Sequence, residues 1–242
     1  MKIGSIMGDT FKYPFSNWKR FLTLGLIFLV SELINEFSEG FGNLEYQIPL
    51  LIAYAVISLV IEGYLLRSMG NSIKGNNEIP KFDQWPRMFT DGVKVFLTLF
   101  VYGFFPGIML VIGYVLLFKY ALTDLGIVFL LMGVFLTVLF VLLVNMALAN
   151  MAYHGKLSAA LKIREISDKI KIIGWARYIF LSIIITVIVA MGTIIAILMT
   201  DSIPILGFLG YFLISTYFEL LMYRAFGLIY KETLDKGTDS KI

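Results

Sequence analysis

Two glutamates, Glu62 and Glu219, fall inside apolar stretches of this 242-residue chain, and each stands five residues before an arginine, Arg67 and Arg224. An ionisable side chain held in hydrocarbon is costly, so by default it marks a site that holds or moves a proton or an ion. Five residues of helix advance about 7.5 Å and turn about 140°, so neither glutamate shares a helix face with its arginine. The arginines are expected to reach the headgroups on their long stems and to leave the glutamates one turn deeper. Two readings stay open. Each glutamate pairs with an arginine from another helix and sets the packing, or the two form a proton- or cation-linked site. Asn145 and Asn150 are placed to complete such a polar cluster or to hydrogen-bond across helices. His154, the single histidine, precedes Gly155 at the edge of an apolar run and reads as a solvated side chain.

Other chemistries lack their residues. With no cysteine and one histidine, disulfides, thiolate metal sites and histidine-cluster metal sites are excluded. No nucleophile elbow, phosphate-binding glycine loop, HExxH motif or carboxylate cluster at ligand spacing occurs. No catalytic residue, metal or cofactor is therefore expected. A non-enzyme is the reading, with a lipid-modifying membrane enzyme as the remaining enzymatic option. Nucleic-acid binding has no support in a net charge of +3.

The elements that must position these groups follow from hydropathy. Hydrophobic residues make up 59% of the chain and charged ones 15%, against about 25% charged in a soluble domain. Six apolar stretches, at 21–37, 48–69, 93–118, 125–153, 174–200 and 203–230, approach or exceed the roughly 20 residues a span needs. Unpaired backbone groups are intolerable in lipid, so stretches of this length without alternation predict helices. The expected fold class is all-α integral membrane, with six transmembrane helices arranged as three tandem helical hairpins in one domain, 1–242. The first stretch, starting at Phe21, reads as a retained span rather than a signal peptide. Ser31 and Glu32 interrupt it, so it must run on as helix into the outer interface or span a locally thinned bilayer. Pro49 and Pro204 sit near span beginnings, where a missing donor does least harm. Pro106, in Gly103-Phe104-Phe105-Pro106-Gly107, predicts a kink with a small-xxx-small packing face, or a functional broken helix.

Nineteen of the twenty lysines and arginines, all but Lys119, fall on one side of these spans, while Glu36, Glu39, Glu45, Asp124 and Asp201 fall on the other. The positive-inside rule makes the basic side cytoplasmic, and an even span count puts both termini there, in the cell (plasma) membrane. Helical apolar spacing in Ile3, Ile6, Met7, Thr10 and Phe11, and again from Leu157 to Ile173, predicts amphipathic helices lying in the headgroup plane, or folded against a neighbouring span.

A repeat is visible. All three tryptophans occur as Trp-x-Arg, Trp18 with Arg20, Trp85 with Arg87 and Trp175 with Arg177, each before an odd-numbered span. A shift of 157 residues superposes Trp18 on Trp175, Arg20 on Arg177, Glu62 on Glu219, Arg67 on Arg224, Gly70 on Gly227 and Lys74 on Lys231. Three units follow, at about 1–75, 76–156 and 157–242, the middle one lacking the Glu–Arg pair. An aromatic ring beside a cation near phosphates anchors any span, so these tryptophans and arginines, with Arg67 and Arg224, are read as interfacial anchors.

The segments Lys12-Tyr13-Pro14-Phe15-Ser16-Asn17-Trp18-Lys19, Gly63-Tyr64-Leu65-Leu66-Arg67-Ser68-Met69-Gly70-Asn71 and Pro80-Lys81-Phe82-Asp83-Gln84-Trp85 resemble archaeal and bacterial multi-pass proteins grouped as the domain-of-unknown-function 4013 family. The resemblance covers nearly the whole chain and is sharpest over 12–95. It implies a membrane location, an archaeal source and no established activity, so it lends no catalytic residue. Two roles are carried forward. One is a small transporter, permease-like or channel-like, built on the repeat and the two glutamates. The other is a membrane scaffold or assembly protein whose basic cytoplasmic face binds anionic lipids or partner proteins.

Overall fold

The computed structural model describes the backbone of residues 3–202 and 204–239 and the side chains of 4–199 and 210–237. Lys2 and Lys241, counted on the basic side above, and the side chain of Asp201, counted on the acidic side, lie outside the described residues. Nine α-helices are present among the described residues: α1 (Ile3–Lys12), α2 (Trp18–Gly40), α3 (Leu44–Ile73), α4 (Trp85–Phe118), α5 (Thr123–His154), α6 (Leu157–Ala160), α7 (Ile163–Ile173), α8 (Trp175–Ser202) and α9 (Pro204–Asp239). A 3-10 turn, Tyr13–Phe15, links α1 to α2. Six of these helices are long and apolar enough to cross a membrane, and the chain is a multi-pass membrane protein.

The first of the six is long enough to span despite its polar interruption. Asn17 accepts a hydrogen bond from the Arg20 amide and starts α2, which then runs unbroken for 23 residues, about 35 Å against a hydrocarbon core of roughly 30 Å. Ser31 is tolerated because it turns inward, its hydroxyl 3.5 Å from that of Ser58 on α3. Asn43 caps α3 through the Glu45 amide, so Pro49 lies within the helix rather than at its first turn. Pro204 does open α9.

The contacts between helices form a cyclic pattern. Helices α3, α5 and α9 each touch the other two. Around them, α2 lies against α3 and α9, and α4 lies against α3 and α5. Helix α8 lies against α9 and reaches α5, where the Tyr178 hydroxyl donates to the Leu142 carbonyl. Burial is uneven along this bundle. The buried residues of α3 all lie between Ile61 and Ile73, and those of α5, two glycines apart, between Val144 and Met151. One half of the bundle is thus a packed core, while in the other half the helices touch chiefly as pairs and present apolar side chains outward. The packed half is the end that carries the lysines and arginines, hereafter the basic end.

Helices α1 and α7 are folded onto that end, which is the second of the two placements open to them. Ile6 and Thr10 of α1 are buried, and Tyr217 donates from α9 to the Phe11 carbonyl. Ile166, Ile170 and Ile173 of α7 are buried where it meets α5, α8 and α9. Apolar stripes on short helices gain more from a packed partner than from partial immersion among headgroups. The expected packing face around Pro106 is not used: α4 continues through it, and side chains added at Gly103 or Gly107 would meet nothing within 4 Å.

Candidate functional site

The α3–α9 crossing brings the two glutamates together. Gly227 of α9 sits so close to Met69 and Ser72 of α3 that a side chain there would press on both. One and two turns deeper along α9 come Tyr223 and Glu219, and they face Glu62. The Tyr223 hydroxyl donates to Glu62 Oε2 at 2.6 Å. Tyr223 is 4% exposed, and both carboxylates are half-buried and near enough to feel each other's charge. Neither glutamate has a cationic partner among the described residues, and Glu219 has no hydrogen-bond partner among them. The packing reading, in which arginines from other helices neutralise them, is therefore not what the structure contains.

Further hydroxyls extend the site along the α2–α3–α9 junction. Ser58 is one turn from Glu62 and faces Ser31. Thr216, three residues before Glu219, is fully buried against Gly25 of α2, and its hydroxyl has no partner among the described residues. A carboxyl joined to a phenol by a short hydrogen bond can hold a proton and hand it on. Two carboxylates together can also enclose a small cation.

The paired arginines have different fates, and one corrects an expectation. Arg67, half-buried, forms an ion pair with Asp83 and donates to the Asp83 carbonyl at 2.9 Å. The hydrogen bond from the guanidinium to the Asp83 carboxylate itself, with the guanidinium charge, holds that carboxyl below the usual carboxylate range. Arg224 does not reach the headgroups: it is 1% exposed, the largest fully buried side chain described. It binds Asp9 at 2.7 Å and Asn77 Oδ1 at 2.8 Å, donates to the Asn76 carbonyl, and lies 4.6 Å from the centre of the Tyr13 ring. Helix α1 and the 75–84 loop cover it, and a guanidinium so enclosed needs these partners to offset lost hydration. Burial pushes the Tyr13 hydroxyl up, outweighing its bond to Ser68 and the nearby Arg224, so the cation rests on a neutral ring.

The asparagines do not join the glutamates. Asn150, fully buried, donates to the Ala159 carbonyl at 2.9 Å and accepts from Tyr230, locking α5 to α6 and α9. Asn145 is half-buried on α5 with no hydrogen-bond partner among the described residues. His154 is an exposed side chain with its Nε2 3.1 Å from Glu165. Burial alone would push the Glu165 carboxyl up, but Lys162 and His154 together bring it below its ordinary value.

The tryptophans occupy equivalent places, as first residues of α2, α4 and α8, with 53%, 48% and 38% of their surface exposed. Their arginines are less uniform. Arg87 stays 71% exposed, whereas Arg20 donates to the Ile79 carbonyl and Arg177 grips Glu232 through both carboxylate oxygens. Arg87, whose one ion pair is a 3.8 Å contact with Asp91 on its own helix, keeps the exposure a headgroup anchor needs, whereas the other two tie α2 to the 75–84 loop and α8 to α9.

Tyr223 was missed by the sequence reading. A tyrosine one turn after Glu219, on the same face, was the available signal, but the 157-residue shift places Leu66 opposite it and so hid the position.

No curated protein and no solved structure matches the chain. Residues 46–200, from the first turn of α3 to the end of α8, match the family described as protein of unknown function, DUF4013. That span contains Glu62, Arg67 and two of the three tryptophan motifs but stops short of Glu219, Tyr223 and Arg224. It covers well over half of the sequence, and the chain belongs to the DUF4013 family.

Proposed function

We propose that this protein is a proton- or cation-linked permease, a small transporter whose coupling groups are Glu62, Glu219 and Tyr223. One observation carries the reading: two carboxylates on different spans meet at a tyrosine inside the bundle with no cationic side chain among the described residues to neutralise them. A group of that kind, costly in hydrocarbon, is retained where a proton or cation is to be bound and released. Its position adds support. Glu62 adjoins Ile61, where the packed half of α3 begins. Beyond it the helices touch chiefly as pairs, so the glutamates sit where the packed core gives way to the looser half of the bundle.

The orientation proposed with it puts the basic end at the cytoplasm of the plasma membrane, with both termini there. The contacts of α2 with α3, α4 with α5 and α8 with α9 fit three repeated units, and repeats that meet around an intramembrane site suit alternating access.

The test uses proteoliposomes holding an entrapped pH dye, driven by an imposed potassium diffusion potential. Wild-type protein is expected to pass protons measurably, and Glu62→Gln and Glu219→Gln each to lower the rate about tenfold or more, as removal of an obligatory proton-binding group does. Tyr223→Phe, which removes only the donor to Glu62, should give a smaller loss. If flux is absent from the wild type, or unchanged in both glutamine variants, the transport reading falls and the role of a lipid- or partner-binding assembly protein takes its place.

A further inference from the structure

Nearer the basic end of α3 than Glu62, and turned from α9 toward α4, a cleft of about 220 Å³ opens between α3, α4 and α5. Four cations line it, Arg67 and Lys74 from α3 and Arg87 and Lys94 from α4, against one carboxylate, Asp91. The cleft is built rather than incidental. Asp91 holds Lys94 at 2.7 Å, and Lys94 also donates to the Gly155 carbonyl at 3.3 Å. Asp83, outside the lining, fixes the Arg67 guanidinium. Lys74 is exposed and has no acidic partner among the described residues. Gly70, Ala152 and Gly155 lie among these side chains, and a Cβ at Gly155 would meet open space.

The start of α4, at the same place, adds to the positive field. Gln84, at the start of α4, has φ 59° and ψ 48°, a left-handed conformation uncommon for a residue with a side chain. Its side chain makes no cap hydrogen bond, and both Gln84 and Arg87 line the cleft. The positive end of the dipole of a 34-residue helix therefore borders the space the cations surround. Asn71 supplies a neutral amide from the facing helix. Charge, dipole and amide donors converging on a small polar recess suit a compact oxyanion with several acceptor atoms.

We infer that this cleft is a binding site for a phosphate group, from either a phospholipid headgroup or a soluble phosphate ester, with Arg67, Lys74, Arg87 and Lys94 as its ligands. Arg67 and Lys94 are preset by Asp83 and Asp91. Lys74 stands free at the rim and Arg87 is held there only by a loose 3.8 Å contact with Asp91, so both close on the anion when it arrives. The inference does not depend on the transport reading, because the cleft and Glu62 lie on different faces of α3.

Full-length protein in nanodiscs tests it, with Lys74→Gln/Arg87→Gln as the cleft variant and Lys162→Gln/Lys171→Gln, two exposed cations at the cap and in the body of α7, as the control. All four side chains are exposed, so thermal unfolding should be unchanged in both. In discs of phosphatidylcholine doped with phosphatidic acid, retention of the acidic lipid is measured by native mass spectrometry. In discs of phosphatidylcholine alone, glycerol phosphate is titrated by calorimetry. Loss of acidic-lipid retention by about tenfold or more in the cleft variant, and not in the control, establishes the headgroup as the source. Saturable glycerol phosphate binding that disappears in the cleft variant establishes a soluble ester instead. Equal losses in the two variants, or no binding by the wild type in either arm, would overturn the proposal.

Discussion

Arg224 and Arg67 have the same local setting, five residues after a glutamate near the end of a span, yet one is enclosed and the other half-open. The difference lies in what covers them. Asp9, Asn76, Asn77 and the Tyr13 ring converge on Arg224 from two separate segments, so this side chain joins α1, the 75–84 loop and α9. Arg224→Ala should therefore lower stability by about 3 kcal/mol, the bottom of the range for breaking a buried pair, because Asp9 keeps access to water. Asp9 is 45% exposed, so Asp9→Asn should cost less than about 1 kcal/mol, since Arg224 keeps its other partners. Thermal unfolding in detergent separates the two. Equal losses would mean that the ion pair alone, and not the enclosed network, holds the segments together.

Helices α3 and α4 approach through a reciprocal pair of glycines. A Cβ on Gly63 would overlap the Met88 carbonyl, and one on Gly92 would overlap the Leu59 carbonyl. Backbone against backbone leaves nothing flexible to move aside, so Gly63→Ala or Gly92→Ala must push the helices apart, at about 1–3 kcal/mol each. Gly103→Ala, where nothing lies within 4 Å, should stay within about 0.5 kcal/mol of the wild type. Denaturation in mixed micelles measures both. A loss at Gly103 comparable to that at Gly63 would show that the proline-flanked stretch packs after all. Since α3 carries Glu62 toward α9 and Gly63 and the basic cleft toward α4, its seating against α4 also sets where both sites stand.

Across the whole molecule, three helix pairs close around α3, α5 and α9, and the core is concentrated at the end where the cations gather. The proposed orientation follows from that charge distribution, and the absence of cysteine makes it straightforward to check. Single cysteines placed at Asn43, in the turn between α2 and α3, and at Ser167, on α7, should react with an impermeant maleimide from opposite faces of intact cells. In cells, Asn43→Cys is expected to label from outside and Ser167→Cys only after permeabilisation. Labelling of both from one face would remove the positive-inside assignment and the even number of crossings together.

Hydropathy is a sum of local transfer free energies, which is why six spans, the solvent they require and the clustering of cations could be read from the residues in order. Glu62 and Glu219 were legible for the same reason: a charge in an apolar run is anomalous whatever surrounds it. Partnership is not a local property. Whether a glutamate meets an arginine or a tyrosine, or an arginine meets lipid phosphate or a buried aspartate, depends on the rotation and depth of helices far apart in sequence. Equivalent residues of the repeat diverge there, Arg67 to Asp83 and Arg224 to Asp9. Asn150 likewise looked like part of the acidic cluster and instead spends its hydrogen bonds on Tyr230 and Ala159. The sequence by itself determined the solvent, the number of helices long enough to span and the costly residues. Only the tertiary structure decided which of them meet, because packing in a membrane turns on the fit of whole helix faces rather than on the polarity of single positions.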